Sequence, residues 1–294
     1  MCPSSIRRRT SRSARSSRLW IPTNTASRSP TISSDRDPLA PHFAAWRAAG
    51  RTALIPYLTA GYPSPAATDD LLDALVRGGA DIIELGVPFS DPVADGPTIQ
   101  RASQCALDQG MTLHVTLDIL RRFRARHDTP VILFSYLNPI MRYDVDAFLR
   151  DAAAAGAQGV LLTDLPVGAD PEMESRFTES PLALIRLVAP TTSPERIAAI
   201  GRTAQGFIYY IARLGVTGAG GTMREELGDE LAAMRRLTAA PIAVGFGVST
   251  AAHAAALAGK ADGVIVGSAL IDAIDRGGAS AAEELLLSMS AVLG

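Results

Sequence analysis

The chain has 294 residues, a net charge of −2 and a pI near 6.1, which gives no electrostatic footprint for nucleic acid or another polyanion. Apolar residues make up 47% of it, enough for a large core, yet no run reaches the roughly 18–20 residues of a membrane span. Two cysteines, Cys2 and Cys105, form neither a disulfide framework nor a metal-ligand spacing, which fits a reducing, cytoplasmic setting.

Residues 1–37 differ in kind from the rest. Arg7, Arg8, Arg9, Arg12, Arg15, Arg18 and Arg28 sit among serines, with no acidic residue before Asp35. Few apolar residues and no periodicity predict a disordered extension. Its composition is similar to that of an organelle transit peptide; a misassigned start or an unselected tail is the plainer reading. It lacks the apolar core of a secretory signal. The folded domain is expected over 38–294.

From Pro38 onward, short apolar runs alternate with amphipathic stretches. A helix is expected over 41–49, then a strand over 53–58. Ser64-Pro65 opens the next helix, where Leu71, Leu72, Leu75 and Val76 share a face, and Gly78-Gly79 closes it. A strand follows at 81–85, and Cys105, in a helical stretch, reads as a buried thiol. An extra helix is expected at 113–126 and a strand at 130–135. Val145 and Phe148 mark a helix, followed by strands at 159–163 and 182–187. Ser193-Pro194 opens another helix; strands at 206–211, 241–244 and 263–266 and a closing helix at 281–293 complete the chain. Gly79, Gly156 and Gly259 each stand just before a strand, a repeated helix-to-strand turn. Eight β/α units with short connections predict a parallel sheet closed into a (β/α)8 TIM barrel, with extra helices. The competing fold, an open doubly wound sheet, would carry a glycine-rich nucleotide loop after its first strand. Here that strand runs into Thr59-Ala60-Gly61-Tyr62-Pro63.

Barrel enzymes react at the C-terminal strand ends. The second strand delivers Glu84 to that end, and Asp95 follows 11 residues later in a loop rich in proline and glycine. Alternation puts Ile82 and Glu84 on one face and Ile83 and Leu85 on the other. A carboxylate on an apolar strand is costly to bury without a task, and two carboxylates at one strand end can divide acid and base work. Gly245-Phe246-Gly247 and Gly267-Ser268 follow the last two strands, the usual place for a phosphate held by backbone N–H groups. Four glycines within 213–222 suit a lid, and Thr217 in it is expected to hydrogen-bond Asp95 on closure. Tyr209 and Tyr210 must point opposite ways, one of them into the mouth.

Other chemistries lack their residues. A Schiff-base aldolase needs a lysine inside the barrel, and Lys260, the only lysine, precedes the last strand at the far end. A metal aldolase needs clustered histidines; His42, His114, His127 and His253 fall in helices or at their ends. Neither a dinucleotide nor a flavin fingerprint is present. Carboxylate acid–base chemistry on a phosphorylated substrate remains.

The segment ELGVPFSDPVADGPTIQ (84–100), with YYIARLGVTGA (209–219), VGFGVS (244–249) and IVGSAL (265–270) in order, resembles the alpha subunits of tryptophan synthase from about Phe43 to the C-terminus. The resemblance implies retro-aldol cleavage of indole-3-glycerol phosphate to indole and glyceraldehyde 3-phosphate. It implies no cofactor in this chain, and an α2β2 assembly in which indole passes to a beta subunit carrying pyridoxal phosphate. Glu84 and Asp95 match the catalytic carboxylates. Tyr209 matches the tyrosine lining the indole pocket, with Tyr57, Tyr136 and Asp164 at other site positions. Gly218, Gly247, Gly267 and Ser268 match phosphate contacts. The family commonly has phenylalanine where this chain has Tyr57, and the extension has no counterpart. A stand-alone lyase releasing free indole would show the same site; a non-catalytic activator of a beta subunit would not need both carboxylates. A sugar-phosphate isomerase is disfavoured by the 84–97 segment.

Overall fold

The computed structural model of the protein describes residues 37–212, 226–245 and 247–294. Three expectations lie outside them: the serine–arginine extension, the glycine-rich loop with Thr217 and Gly218, and Phe246. The described chain runs α1 (Ala40–Ala48), β1 (Ala53–Thr59), α2 (Thr68–Arg77), β2 (Ile83–Gly86), α3 (Pro97–Asp108), α4 (Leu113–Arg124) and β3 (Val131–Ser135). It continues through α5 (Leu137–Tyr143), α6 (Val145–Ala155), β4 (Gly159–Leu162), α7 (Pro171–Thr178), β5 (Ala183–Val188), α8 (Pro194–Thr203) and β6 (Ile208–Ile211). The last elements are α9 (Glu226–Leu237), β7 (Ile242–Gly245), α10 (Ala251–Leu257), β8 (Gly263–Val266) and α11 (Ser268–Ser290). The strands pair in parallel in sequence order, and β8 returns to β1 to close the barrel.

Strand alternation sorts the apolar residues into two cores. Ile55, Ile82, Ile132, Leu161, Ile185, Ala243 and Ile265 fill the barrel interior. Leu54, Ile83, Leu85, Leu133, Val160, Leu184, Val244 and Val264 face the helices. This is the division expected for Ile82 and Ile83. Helix α1 lies over the floor: its Phe43 packs against Phe207, just before β6, at 5.6 Å between ring centroids with the rings tilted by 52°. Floor residues therefore pack over the N-terminal strand ends.

Each expected strand is present, with ends shifted by a residue or two. The second starts at Ile83 rather than Asp81, because the Asp81 carboxylate is occupied elsewhere. It accepts the Leu54 N–H at 2.9 Å and pairs with Arg51 at 3.3 Å, fixing the start of β1. The sixth starts at Ile208 because Gly206 takes φ +61° and gives its N–H to Asp37 at 2.6 Å. Expected caps are in place: the Ser64 and Ser193 hydroxyls accept the N–H groups of Ala67 and Arg196. Gly79, Gly156 and Gly259 all take positive φ.

Three expectations are corrected. The closing helix is the second limb of α11, which starts at Ser268 and bends at Gly277-Gly278, where both residues leave helical φ/ψ. Cys105 is half-buried rather than buried. The short α5 has no counterpart among the expected helices; at seven residues it is too short to show a period.

Candidate active site

Glu84 is 1% exposed and lies in the barrel interior near the C-terminal end of β2. Both carboxylate oxygens are buried with no hydrogen-bond partner among the described residues. Burial pushes its pKa up to about 8, as expected for a carboxyl deprived of water and of a counter-charge. In register beside it is Tyr57 on β1. The Tyr57 ring meets Phe134 edge-on at 5.3 Å, and its hydroxyl receives the Thr59 hydroxyl at 3.2 Å. Burial, and then the negative charge of Asp95, hold the Tyr57 phenol far above its usual range.

Tyr57 fits only because of Gly86. A Cβ at position 86 would come within 2.6 Å of Tyr57 Cζ and closer still to its oxygen. Gly86→Ala is therefore expected to push the ring out of the mouth and to cost about 1–3 kcal/mol of stability, read as a lower denaturant midpoint together with impaired turnover. Tyr57→Ala in the same chain should recover the midpoint; no recovery would place the strain elsewhere. Sequence reading did not single out Gly86. Its signal is the Tyr57–Glu84 register, which exists only once β1 and β2 are paired.

Asp95 is half-buried on the loop 87–96 that joins β2 to α3. Burial raises its pKa to about 6, and the Tyr136 hydroxyl works against the rise. Tyr136 follows β3 directly. Its oxygen accepts the Ala94 N–H at 2.9 Å, and its ring packs against Phe89 at 5.1 Å. Burial, with the Asp95 charge beside it, moves Tyr136 up to about 12. Asp164, just past β4, is exposed, and its carboxylate accepts the Leu137 N–H at 2.8 Å.

The tyrosine pair on β6 divides as alternation requires. Tyr209 packs with the interior core, and burial, then the charges of Glu84 and Asp95, raise its pKa. Tyr210 faces outward and gives its hydroxyl to Glu230 at 2.7 Å. Gly247, with φ +96°, follows β7; Gly267 and Ser268 follow β8 and open α11. Because β7 pairs with β8, these three positions stand together on one arc of the rim. First-turn N–H groups of α11 supply a partial positive charge there. The structure thus gathers Glu84, Asp95, Tyr57, Tyr136 and Tyr209 at the mouth, with Gly247, Gly267, Ser268 and Asp164 at its rim. Lys260 lies in the α10–β8 connection, 258–262, on the floor side. No group of His, Cys, Asp and Glu among the described residues has the arrangement of a metal site.

Fold and mouth define a (β/α)8-barrel protein with paired carboxylates under a tyrosine-walled opening. Comparison with known proteins narrows this further. The family model described as "Tryptophan synthase alpha chain" matches residues 43–291. The tryptophan synthase alpha chain of Xanthomonas axonopodis pv. citri is 52% identical over 235 residues, 79% of this chain and 87% of that one. The Burkholderia mallei chain is 47% identical, covering 80% of this chain and 87% of its own. Among solved structures, tryptophan synthase subunit alpha from Legionella pneumophila superposes with a TM-score of 0.81 at 38% identity, covering 87% of this chain and 98% of that one. Tryptophan synthase from M. tuberculosis gives a TM-score of 0.80 at 40% identity, with coverages of 87% and 98%.

The chain belongs to the tryptophan synthase alpha chain family. It is a carbon–carbon lyase that cleaves indole-3-glycerol phosphate, partnered by a beta subunit. The pyridoxal phosphate of tryptophan synthase belongs to that beta subunit, not to this chain.

Proposed function

We propose that Glu84 and Asp95 perform the cleavage in divided roles. The observation carrying this reading is their contrast in surroundings. Glu84, sealed in the barrel and raised to about 8, holds a proton at neutral pH. Asp95, half-buried and raised to about 6, is mostly ionised. The reaction uses both states together. Glu84 gives its proton to indole C3, producing an indolenine cation. The Asp95 carboxylate accepts a hydrogen bond from the ring N–H and balances that charge. The Glu84 carboxylate then takes the proton of the hydroxyl on the carbon attached to C3. That carbon–carbon bond breaks, its electron pair returns to the ring, and the hydroxyl-bearing carbon becomes the aldehyde of glyceraldehyde 3-phosphate. Glu84 ends as it began, protonated.

Around this centre, Tyr57, Tyr209, Phe134 and Leu187 form the wall available to the indole ring. Gly247, Gly267 and Ser268 offer backbone N–H groups and a helix N-terminus to the phosphate dianion; Gly218 is assigned to the same contact by family resemblance. Thr217 is assigned to closure over Asp95 from its place in the glycine-rich 213–222 segment. Residues 38–294 make up the catalytic domain and 1–37 an extension to it. The working assembly is α2β2, with indole passed on for L-tryptophan synthesis, in the cytoplasm. No helix among the described residues is long and apolar enough to cross a membrane.

The test is the pH dependence of kcat/KM for indole-3-glycerol phosphate. Activity requires Asp95 ionised and Glu84 protonated. The rate should fall below pH about 6 as Asp95 takes up a proton, and above pH about 8 as Glu84 loses one. A rate still rising above about pH 9 would remove Glu84 from the acid role.

A further inference from the structure

Two side chains from outside the loop bearing Asp95 hold it at more than one point: Gln100 of α3, whose amide donates to the Pro92 and Asp95 carbonyls at 3.4 and 2.9 Å, and Tyr136, which touches both halves. Its ring packs on Phe89 in the first half of the loop, and its oxygen accepts the Ala94 N–H in the second half. A phenol has one proton to donate. With the oxygen engaged as an acceptor, that proton is left for a neighbouring side chain, and the side chains beside the hydroxyl are the Asp95 carboxylate and the Thr163 hydroxyl. The backbone beneath is anchored in turn. The Leu137 N–H, one residue on, is held by the Asp164 carboxylate at 2.8 Å from the end of β4. Three strand ends are thereby connected: β4 through Asp164, β3 through Tyr136, and β2 through the loop.

We propose that Tyr136 is a positioning residue that sets the placement of Asp95, braced by Asp164, rather than a wall of the indole pocket. The proposal rests on the role given to Asp95 above. It also assigns Asp164 to the frame and not to the substrate. The loop between Val87 and Gly96 holds two prolines and an exposed Val93, so little apolar burial of its own restrains it. Without the phenol hydroxyl, the loop would lose its tether at Ala94, with Gln100 still on the Asp95 carbonyl, and the Asp95 carboxylate would lose a donor to its ionised form. Among the described residues, the groups facing Asp95 are the phenols of Tyr57 on β1, Tyr136 after β3 and Tyr209 on β6. Glu84 on β2 shares the chamber. None of these is a cation, so the hydroxyl donor matters more than it would beside an arginine.

Tyr136→Phe keeps the ring and its contact with Phe89 and removes the hydroxyl. In the full chain with its beta partner, kcat should fall about tenfold or more, the usual weight of a hydrogen bond to a charged group. The acid limb of kcat/KM should move up by roughly one pH unit, since the ionised carboxylate loses a donor. KM and the affinity for glyceraldehyde 3-phosphate should change little. A purely structural role would not move the limb. In an Asp95→Asn background the same change should add almost nothing, because its effect passes through Asp95. If Asp95→Asn is inactive while Tyr136→Phe keeps both wild-type rate and limb, the positioning role is overturned and the role of Asp95 stands. If Asp95→Asn turns over normally, the role of Asp95 falls and the proposal with it.

Discussion

Glu84→Gln is expected to abolish cleavage and, at the same time, to stabilise the barrel at neutral and alkaline pH. Removing a positioned acid–base group should cost at least about 10²–10⁴ in rate. The stability effect follows from linkage. Glu84 has a folded pKa near 8 against 4.5 for an ordinary glutamate. A raised folded value means that the favourable contribution is complete below the unfolded pKa and is lost as pH climbs to the folded one. Between those limits the unfolded chain ionises freely while the folded chain must hold its proton or bury a charge. The penalty is of order 3 kcal/mol at pH 7 and vanishes near pH 4. Glutamine has the same shape and never ionises, so it escapes the penalty. Melting midpoints should coincide near pH 4, with the variant higher by roughly 5–10 °C at pH 7 for a domain of this size. Equal midpoints at both pH values would mean that Glu84 is not held in a proton-retaining site; near-wild-type turnover would remove it from the chemistry.

A second large effect is expected behind the sheet. Arg186, on the outer face of β5, is 4% exposed and pairs with Glu174 of α7 at 2.7 Å. The other Glu174 oxygen accepts the Gly168 N–H at 2.6 Å, tying down the loop before α7. Two guanidinium nitrogens, Nε and Nη1, are buried with no partner among the described residues. The pair therefore stays in place at a cost, and Glu174 is what offsets it. Glu174→Ala leaves a buried cation uncompensated and should destabilise by about 3–5 kcal/mol. Replacing both partners, Glu174→Leu with Arg186→Met, should restore most of the stability, since apolar packing needs no counter-charge. The measurement is denaturant unfolding of all three chains. A single variant within about 0.5 kcal/mol of wild type would mean that water reaches the guanidinium.

Much of this molecule was legible before its structure, and the reasons are local. The strands announced themselves because each is a short β-branched run between turn residues, and inside-versus-outside followed from counting by two. Glu84 stood out as the one carboxylate inside such a run rather than at its edge. The roles of Tyr57 and Gly86 were not legible from spacing, because their contact is made across paired strands 29 residues apart in number (57 and 86). Asp81 and Gly206 misled at strand ends because their bonds reach other elements: Asp81 to β1, Gly206 to Asp37. Arg186 and Glu174 gave no sign at all. An arginine inside an apolar strand looks like an error of pattern until the helix lying over it supplies the partner. Tyr136 was placed at the site by family resemblance, but its hold on two halves of one loop is a property of the folded chain.

The packed floor has a consequence for traffic. Leu39, Phe43 and Phe207 are buried together with the interior core at the lower end of the barrel, so among the described residues that end is packed with side chains. On the role proposed for Glu84, indole leaves past the rim rather than through that packed floor. Whatever stands over that rim, a loop or a neighbouring subunit, then controls the passage of a small apolar product. How long indole stays, and where it goes next, is decided outside the chamber in which it is made.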